Sequence, residues 1–133
     1  MCNINEHVPT QLERRTLKEG YKIFALINGK LCGNWHNSFQ YKEDTWNTIN
    51  DILCSDYGFY HSDYGFYVFL NKEDVKAVVK HRQKRQCDFY TLIIKKVQIK
   101  SLVAIGNADG FSGASLVRKD GVVRCKKLKI VED

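Results

Sequence analysis

Apolar and polar residues alternate in the first half of the chain in a way that predicts paired strands. Tyr21 to Ile27 (YKIFALI) predicts a strand, and Asn28-Gly29 follows it, the dipeptide most typical of a two-residue hairpin turn. Lys30 to Cys32 then begins a return strand. Tyr64 to Leu70 (YGFYVFL) is the most strand-like run of the chain. These patterns predict an early hairpin and a central strand.

A six-residue repeat precedes and overlaps that central strand. SDYGFY occurs at Ser55 to Tyr60 and again at Ser62 to Tyr67, with His61 between the copies. Because side chains alternate faces along a strand, an offset of seven residues would place twin residues on opposite faces of one continuous strand. Two arrangements remain, a hairpin that turns near residues 61–63 or a duplicated loop before a single strand. The lack of Asn-Gly or Asp-Gly at the turn favours the loop.

The best helical pattern follows the central strand. Asn71 is a good N-cap residue, and Asp74 places negative charge at the positive end of a helix dipole. One face carries Val75, Val78, Val79 and Arg82, and an adjoining stripe carries Lys76, Lys80 and Lys84. We therefore predict a helix over about 72–84. Shorter helical turns are predicted at Gln11 to Lys18, closed by Gly20, and at Thr45 to Leu53.

The remainder of the chain reads as strands and one long loop. Phe89 to Val97 and Ile99 to Ile105 are either two strands or one long bent strand. The glycine-rich run Gly106 to Ser115 predicts a loop. Leu116 to Arg118 and Val122 to Val131 predict a second hairpin that turns at Asp120-Gly121, with Leu128 and Ile130 facing the core.

The predicted fold class is α+β. We expect residues 1–20 to be a loosely ordered lead-in and residues 21–133 to be a single domain. Hairpin-connected strands with one good helix predict a mainly antiparallel, curled or barrel-like sheet and one principal helix at about 72–84.

Composition limits the compartment and the chemistry. No apolar segment approaches about 18 residues and no signal peptide is visible, so we expect a cytoplasmic protein without a membrane partner. The five cysteines are widely spaced and none forms a C-x-x-C pair, which favours free thiols over a metal site. Histidines and carboxylates show no interpretable spacing, so we predict no catalytic residue, metal or cofactor. The sequence does not indicate an oligomeric state.

Charge is unevenly distributed. Residues 1–71 carry six Lys and Arg against eight Asp and Glu, whereas residues 72–133 carry fifteen against seven. A basic half of this kind suits an acidic partner, either nucleic acid or an acidic protein surface. Base stacking suits Trp35, Trp46 and the repeat tyrosines Tyr57, Tyr60, Tyr64 and Tyr67, although most aromatic residues of a strand-rich domain pack in the core or across strands. The predicted partner-binding residues are Lys80, Arg82, Lys84, Arg85, Arg124, Lys126, Lys127, Tyr57 and Tyr64.

These features predict a small non-enzymatic binding protein. The alternative is a nucleotide-binding or nucleotide-modifying enzyme or sensor, with a pocket between the central strand and the Gly106 to Gly113 loop. That loop lacks the G-x-x-x-x-G-K-[ST] pattern of a phosphate loop, which favours a flexible connection over a phosphate cradle, although a long loop of this kind can still bind a ligand.

Two segments carry a resemblance to known proteins. Gly20 to Phe24 with Asn28 to Leu31, and Gly65 to Phe69 with Asn71 to Val75, resemble a loose group of small phage and bacterial proteins with a Tyr-Lys-Val-Phe strand and a Gly-Phe-His-Ala-Phe-like strand that leads into a helix. The likeness spans Gly20 to Val131. It implies an accessory phage or bacterial protein, for example one that acts on a host-defence component, and it implies no catalytic residue.

Overall fold

A computed structural model describes residues 2–33, 40–48, 65–85, 90–109 and 114–131. Its strands are β1 (Cys2–His7), β2 (Glu19–Ile27), β3 (Lys30–Gly33), β4 (Trp46–Thr48), β5 (Phe66–Phe69), β6 (Thr91–Asp109) and β7 (Val122–Ile130). Two helices, α1 (Gln11–Thr16) and α2 (Lys72–Arg85), and a 3-10 turn (Ala114–Leu116) complete the described elements. The predicted α+β class with one principal helix is confirmed. Within these residues no helix is long and apolar enough to cross a membrane.

The sheet is antiparallel and ring-like. Four strands form the ring, because β6 pairs with β2 and β7, and β5 pairs with the same two strands. Strands β2 and β5 pair at one position, where Tyr21 lies opposite Phe69. Since one pair closes the ring, the sheet is curled but is not a barrel. The remaining strands attach at its sides, β1 to β6, β3 to β2 and β4 to β7.

Two apolar clusters stabilise this arrangement, one on each face of β2. Phe24 belongs to an inner cluster drawn from all four ring strands, which includes Phe66, Val97 and Leu128. Its neighbour Ile23 points to the other face and packs beneath α2. Alternation of side chains along β2 therefore supplies both clusters.

Helix α2 forms where its pattern predicts it. Acidic residues occupy its first turn, and the Val75 N–H donates to the Asn71 carbonyl at 3.3 Å. Val75 and Val78 are fully buried, whereas Lys76, Lys80 and Lys84 are exposed. The amphipathic face expected from the sequence is thus the face that packs on the sheet.

The first hairpin is also confirmed. Strands β2 and β3 pair from Phe24 opposite Gly33 to Ile27 opposite Lys30. Asn28 and Gly29 both have positive φ, 52° and 77°, as a type I′ turn requires.

Strand β6 resolves one open alternative and corrects one prediction. Residues 91–109 form one strand, with Ser101 at φ 58° and a register shift between Leu102 and Ala104. The predicted loop at Gly106 to Ser115 is wrong up to Asp109, because β1 pairs with that stretch, Ile4 lying opposite Asn107. Residues 2–7, expected in the lead-in, therefore extend the sheet.

Two further predictions are wrong, the first strand of the second hairpin and the helical turn at Thr45 to Leu53 as far as Thr48. Leu116 to Arg118 is not a strand, because Ala114–Leu116 is a 3-10 turn and Arg118 donates to the Asp74 carboxylate. Asp120 has φ 55° and the Gly121 N–H donates to Arg118 O, so the turn forms without a first arm. Trp46–Thr48 is strand β4 where a helical turn was expected, because it pairs with β7.

The central strand is confirmed at Phe66–Phe69 and leads directly into α2. The first SDYGFY copy and the first half of the second, residues 62–64, lie outside the described residues. The choice between a duplicated loop and a hairpin therefore stays a prediction.

Candidate functional site

The predicted basic residues of α2 divide between its two faces. Lys80 and Lys84 are exposed, whereas Arg82 is buried with 5% of its surface exposed. The side chain of Arg85, and Tyr57 and Tyr64 entirely, lie outside the described residues. Two lysines of this group therefore remain as exposed cations on the helix.

The predicted basic residues of β7 also divide. Arg124 is buried and donates to the Glu6 carboxylate from Nε at 2.6 Å and from Nη2 at 2.9 Å. Its charge is therefore balanced inside the fold, and its bidentate geometry ties β1 to β7. Lys126 is half-buried, and Lys127 is exposed.

The helix lysines and Lys127 belong to different parts of the sheet. Helix α2 packs against the sheet around Ile23 and Leu92. Lys127 lies opposite Lys100, eight residues beyond Leu92 on β6, which is about 26 Å along an extended strand. The structure instead places Lys127 opposite Lys100, a cation that the sequence did not group with it.

Strands β4, β7 and β6 present two rows of polar residues on one face. The pairings align Trp46 with Lys129 and Gln98 in the first row, and Thr48 with Lys127 and Lys100 in the second. Between these rows Asn47, Leu128 and Ile99 are buried on the opposite face. We call the outer surface the basic face, and its members are Trp46, Thr48, Gln98, Lys100, Lys127 and Lys129.

The basic face concentrates positive charge that no carboxylate among the described residues balances. Lys100 and Lys127 lie directly opposite each other, a like-charge pair that strand pairing disfavours. The Lys100 ammonium lies 4.2 Å from the centre of the Trp46 ring. Elsewhere Lys96, Arg118 and Arg124 pair with carboxylates, but in the part of the chain that the structure describes none of the three lysines of this face does.

A buried asparagine holds Trp46 in place. Asn47 Nδ2 donates to the Lys42 carbonyl at 2.9 Å, and Asn47 Oδ1 accepts from the Lys42 N–H at 2.8 Å. The same amide also donates to the Leu128 carbonyl at 3.4 Å. These bonds fix the short strand β4 against β7, so Trp46 has a defined position on the basic face.

A cavity lies beside the basic face and shares Lys100 with it. It has a volume of about 250 Å³ and is lined by Arg14, Leu17, Lys18, Ile99, Lys100, Ser101 and Leu102. Arg14 Nη1 donates to the Leu102 carbonyl at 3.0 Å, and the Ile99 N–H donates to the Lys18 carbonyl at 2.9 Å. We call this cavity the α1 pocket.

Helix α1 is short, but its first turn is well capped. Thr10 Oγ1 accepts from the Glu13 N–H at 3.1 Å, and the Thr10 N–H donates to Glu13 Oε1 at 2.9 Å. This reciprocal capping box gives a hydrogen-bond acceptor to two backbone N–H groups, those of Thr10 and Glu13. The capped helix presents Arg14 to β6, and Lys18 follows two residues after the helix ends.

The inside of the ring holds a buried amine and a buried thiol. Lys22 has 6% of its surface exposed, and its ammonium donates to the Tyr67 carbonyl at 2.9 Å. Burial lowers the pKa of Lys22 to about 8, and burial raises the pKa of the Cys125 thiol to about 12. Because both lie in the core, they bear on stability and not on binding at the surface. Among the described residues no group of His, Cys, Asp or Glu is arranged to hold a metal ion.

Three cations of the site were not predicted from the sequence. They are Arg14, Lys18 and Lys100. Arg14 and Lys18 lie in the segment expected to be loosely ordered, and Lys100 lies within a strand whose partner the sequence did not reveal. The alternation of Lys127 and Lys129 with Leu128 was the one available indication of a basic strand face. The pocket predicted near Gly106 to Gly113 stays a prediction, since residues 110–113 lie outside the described part.

Comparison with protein-family models, with curated proteins and with solved structures finds no match to this chain.

Proposed function

We propose that this protein is a non-enzymatic binding protein whose basic face contacts single-stranded nucleic acid. The observation that carries the proposal is the row structure of that face, where Trp46 lies opposite Lys129 and beneath the Lys100 ammonium, and Lys127 lies in the next row. None of these lysines has a carboxylate partner among the described residues. A phage or bacterial accessory role, expected from the resemblance above, is compatible with such binding.

The lysines supply the affinity. Lys127 and Lys129 are two residues apart on one strand, hence about 6.7 Å along it, and Lys100 is directly across from Lys127. Lys100 and Lys127 are exposed and Lys129 is half-buried. Three ammonium groups at this spacing suit consecutive phosphates, and each neutralised phosphate releases a counterion. Binding of this kind weakens steeply as salt increases.

The tryptophan favours a single strand over a duplex. Bases of a single strand are free to stack on an aromatic ring, whereas duplex bases are already stacked. Lys100 covers Trp46 in the free protein, and leaving the ring costs only about 0.5–1 kcal/mol at an exposed site. A base that stacks on Trp46 therefore releases Lys100 to contact a phosphate.

Fluorescence anisotropy with a labelled single-stranded oligonucleotide tests the proposal. For three contacts, the logarithm of the association constant should fall with the logarithm of salt concentration with a slope of about −2 or steeper. Lys127→Gln should reduce the steepness by about 0.7, whereas Lys76→Gln, which removes an exposed cation from α2, should leave it unchanged.

Absence of binding at low salt would refute the proposal. Binding to polyglutamate but to no nucleic acid would also refute it and would identify an acidic protein surface as the partner. A tighter complex with duplex than with single strand would contradict the role given to Trp46.

A further inference from the structure

We propose that the α1 pocket binds the terminal phosphomonoester of the strand that lies on the basic face. This inference rests on the proposed function, because Lys100 belongs to both surfaces. A strand that crosses the basic face reaches the pocket at Lys100, where the cavity beneath α1 accepts a chain end.

The charge of the pocket suits a terminal phosphate better than an internal one. Arg14, Lys18 and Lys100 line one small cavity, and none of them forms an ion pair with any carboxylate that the structure describes. An internal phosphodiester carries one negative charge, whereas a phosphomonoester carries −1.5 to −2 at pH 7. Three cations around one cavity therefore favour the phosphomonoester.

Arg14 is oriented for this role by the backbone. Its Nη1 donates to the Leu102 carbonyl at 3.0 Å, which holds the guanidinium at the wall of the pocket. The other N–H groups of the guanidinium are available to phosphate oxygens, which arginine binds with two parallel hydrogen bonds.

Ser101 is an independent indication that this wall is specialised. It adopts φ 58° within strand β6, a left-handed conformation that residues other than glycine rarely adopt. Such outliers cluster at ligand-binding positions. Ser101 lines the pocket and offers a hydroxyl that donates to a phosphate oxygen.

The size of the cavity matches a chain end. Its volume of about 250 Å³ lies below the 300–1,000 Å³ typical of pockets for drug-sized ligands. Leu17, Ile99 and Leu102 supply an apolar lining between the cations. The pocket therefore suits a phosphate with its sugar, and the rest of the strand lies outside on the basic face.

The test compares three oligonucleotides with the same number of phosphates. A 12-mer with a 5′-phosphate and a 12-mer with a 3′-phosphate are matched by a 13-mer without a terminal phosphate, and affinity is measured by competition anisotropy. We expect the wild type to prefer one of the phosphorylated ends by about tenfold, the worth of one charge-assisted hydrogen bond. The 5′ and 3′ arms identify which end enters the pocket.

Two variants assign the preference to the pocket. Lys18→Gln should abolish this preference while retaining binding of the 13-mer, because Lys18 contacts the described part of the fold through its backbone carbonyl, which accepts from the Ile99 N–H. Arg15→Gln removes the neighbouring exposed cation of α1, which does not line the pocket, and should keep the tenfold preference.

Equal affinity of the wild type for all three oligonucleotides would overturn this inference and leave the proposed function intact. An end preference that survives Lys18→Gln undiminished would also overturn it. Absence of binding to all three would overturn the proposed function itself.

Discussion

The buried amine of Lys22 makes the stability of this protein depend on pH in a predictable direction. Its pKa in the folded state is about 8, against an ordinary value of 10.5, because burial disfavours the charged form. At roughly 1.4 kcal/mol for each pKa unit, this difference means that the buried charge destabilises the folded state by about 3 kcal/mol. Below pH 8 both folded and unfolded chains carry the proton, so the folded state bears the full cost of a buried charge.

Between about pH 8 and 10.5 the unfolded chain keeps the Lys22 proton while the folded chain has lost it, so stability should rise with pH. Cys125 acts in the opposite direction, since its pKa is about 12 in the folded state and 9.0 ordinarily. The unfolded chain loses that proton first, so stability falls from about pH 9 to 12. The contributions of Lys22 and Cys125 to the pH dependence of stability therefore cancel between about pH 9 and 10.5. Cys125→Ala removes the contribution of the thiol.

Urea denaturation in the Cys125→Ala background isolates Lys22. From pH 7 to 10 the free energy of unfolding should rise by about 2–3 kcal/mol, because the unfolded chain binds more protons than the folded chain over this range. Lys22→Met in that background should stabilise the protein at pH 7 by about 2 kcal/mol, since the lost hydrogen bond to Tyr67 O offsets about 1 kcal/mol. The rise with pH should then disappear. If the free energy of unfolding rose with pH equally in Cys125→Ala and in the double variant with Lys22→Met, the account of Lys22 would be refuted.

Three further predictions concern the backbone and the basic face. A Cβ at Gly20 would lie 2.5 Å from Val68 Cγ1 and 2.6 Å from Phe69 O, so Gly20→Ala should lower the free energy of unfolding by about 1–3 kcal/mol in urea denaturation. Gly29→Ala meets no atom within 4 Å, and its cost should be the roughly 1–2 kcal/mol of a left-handed residue, which Gly29→Asn should partly recover. Lys127→Glu replaces the like-charge pair with Lys100 by an attractive pair, so the free energy of unfolding should rise by up to about 1 kcal/mol. The same variant should abolish oligonucleotide binding. Unchanged binding by Lys127→Glu would remove Lys127 from the interface.

Local patterns sufficed to predict much of this fold. Asn28-Gly29 requires a hairpin because few dipeptides accept two positive φ angles, and the valines of α2 mark its buried face. The loop predicted at Gly106 to Asp109 failed for a non-local reason. That stretch is a strand because residues 2–7 pair with it, about a hundred residues away in sequence, and such pairing leaves no local pattern.

The candidate site was harder to predict from the sequence than the fold was. Alternation along Lys127 to Ile130 predicts which side chains face water, but it does not specify the partner strands. Lys100 joins Lys127 only through the register between β6 and β7, and Arg14 reaches Leu102 only through tertiary packing. The burial of Arg124 is a similar case, since its partner Glu6 lies at the other end of the chain.

The most direct test of the central claim is whether Trp46 senses bound nucleic acid. Trp35→Phe leaves Trp46 as the sole tryptophan, so emission reports this one position on the basic face. Titration with a single-stranded oligonucleotide at low salt should quench that emission along the same curve as the anisotropy, and added salt should restore it. Binding seen by anisotropy without a change in Trp46 emission would place the nucleic acid elsewhere on the protein and would contradict the account.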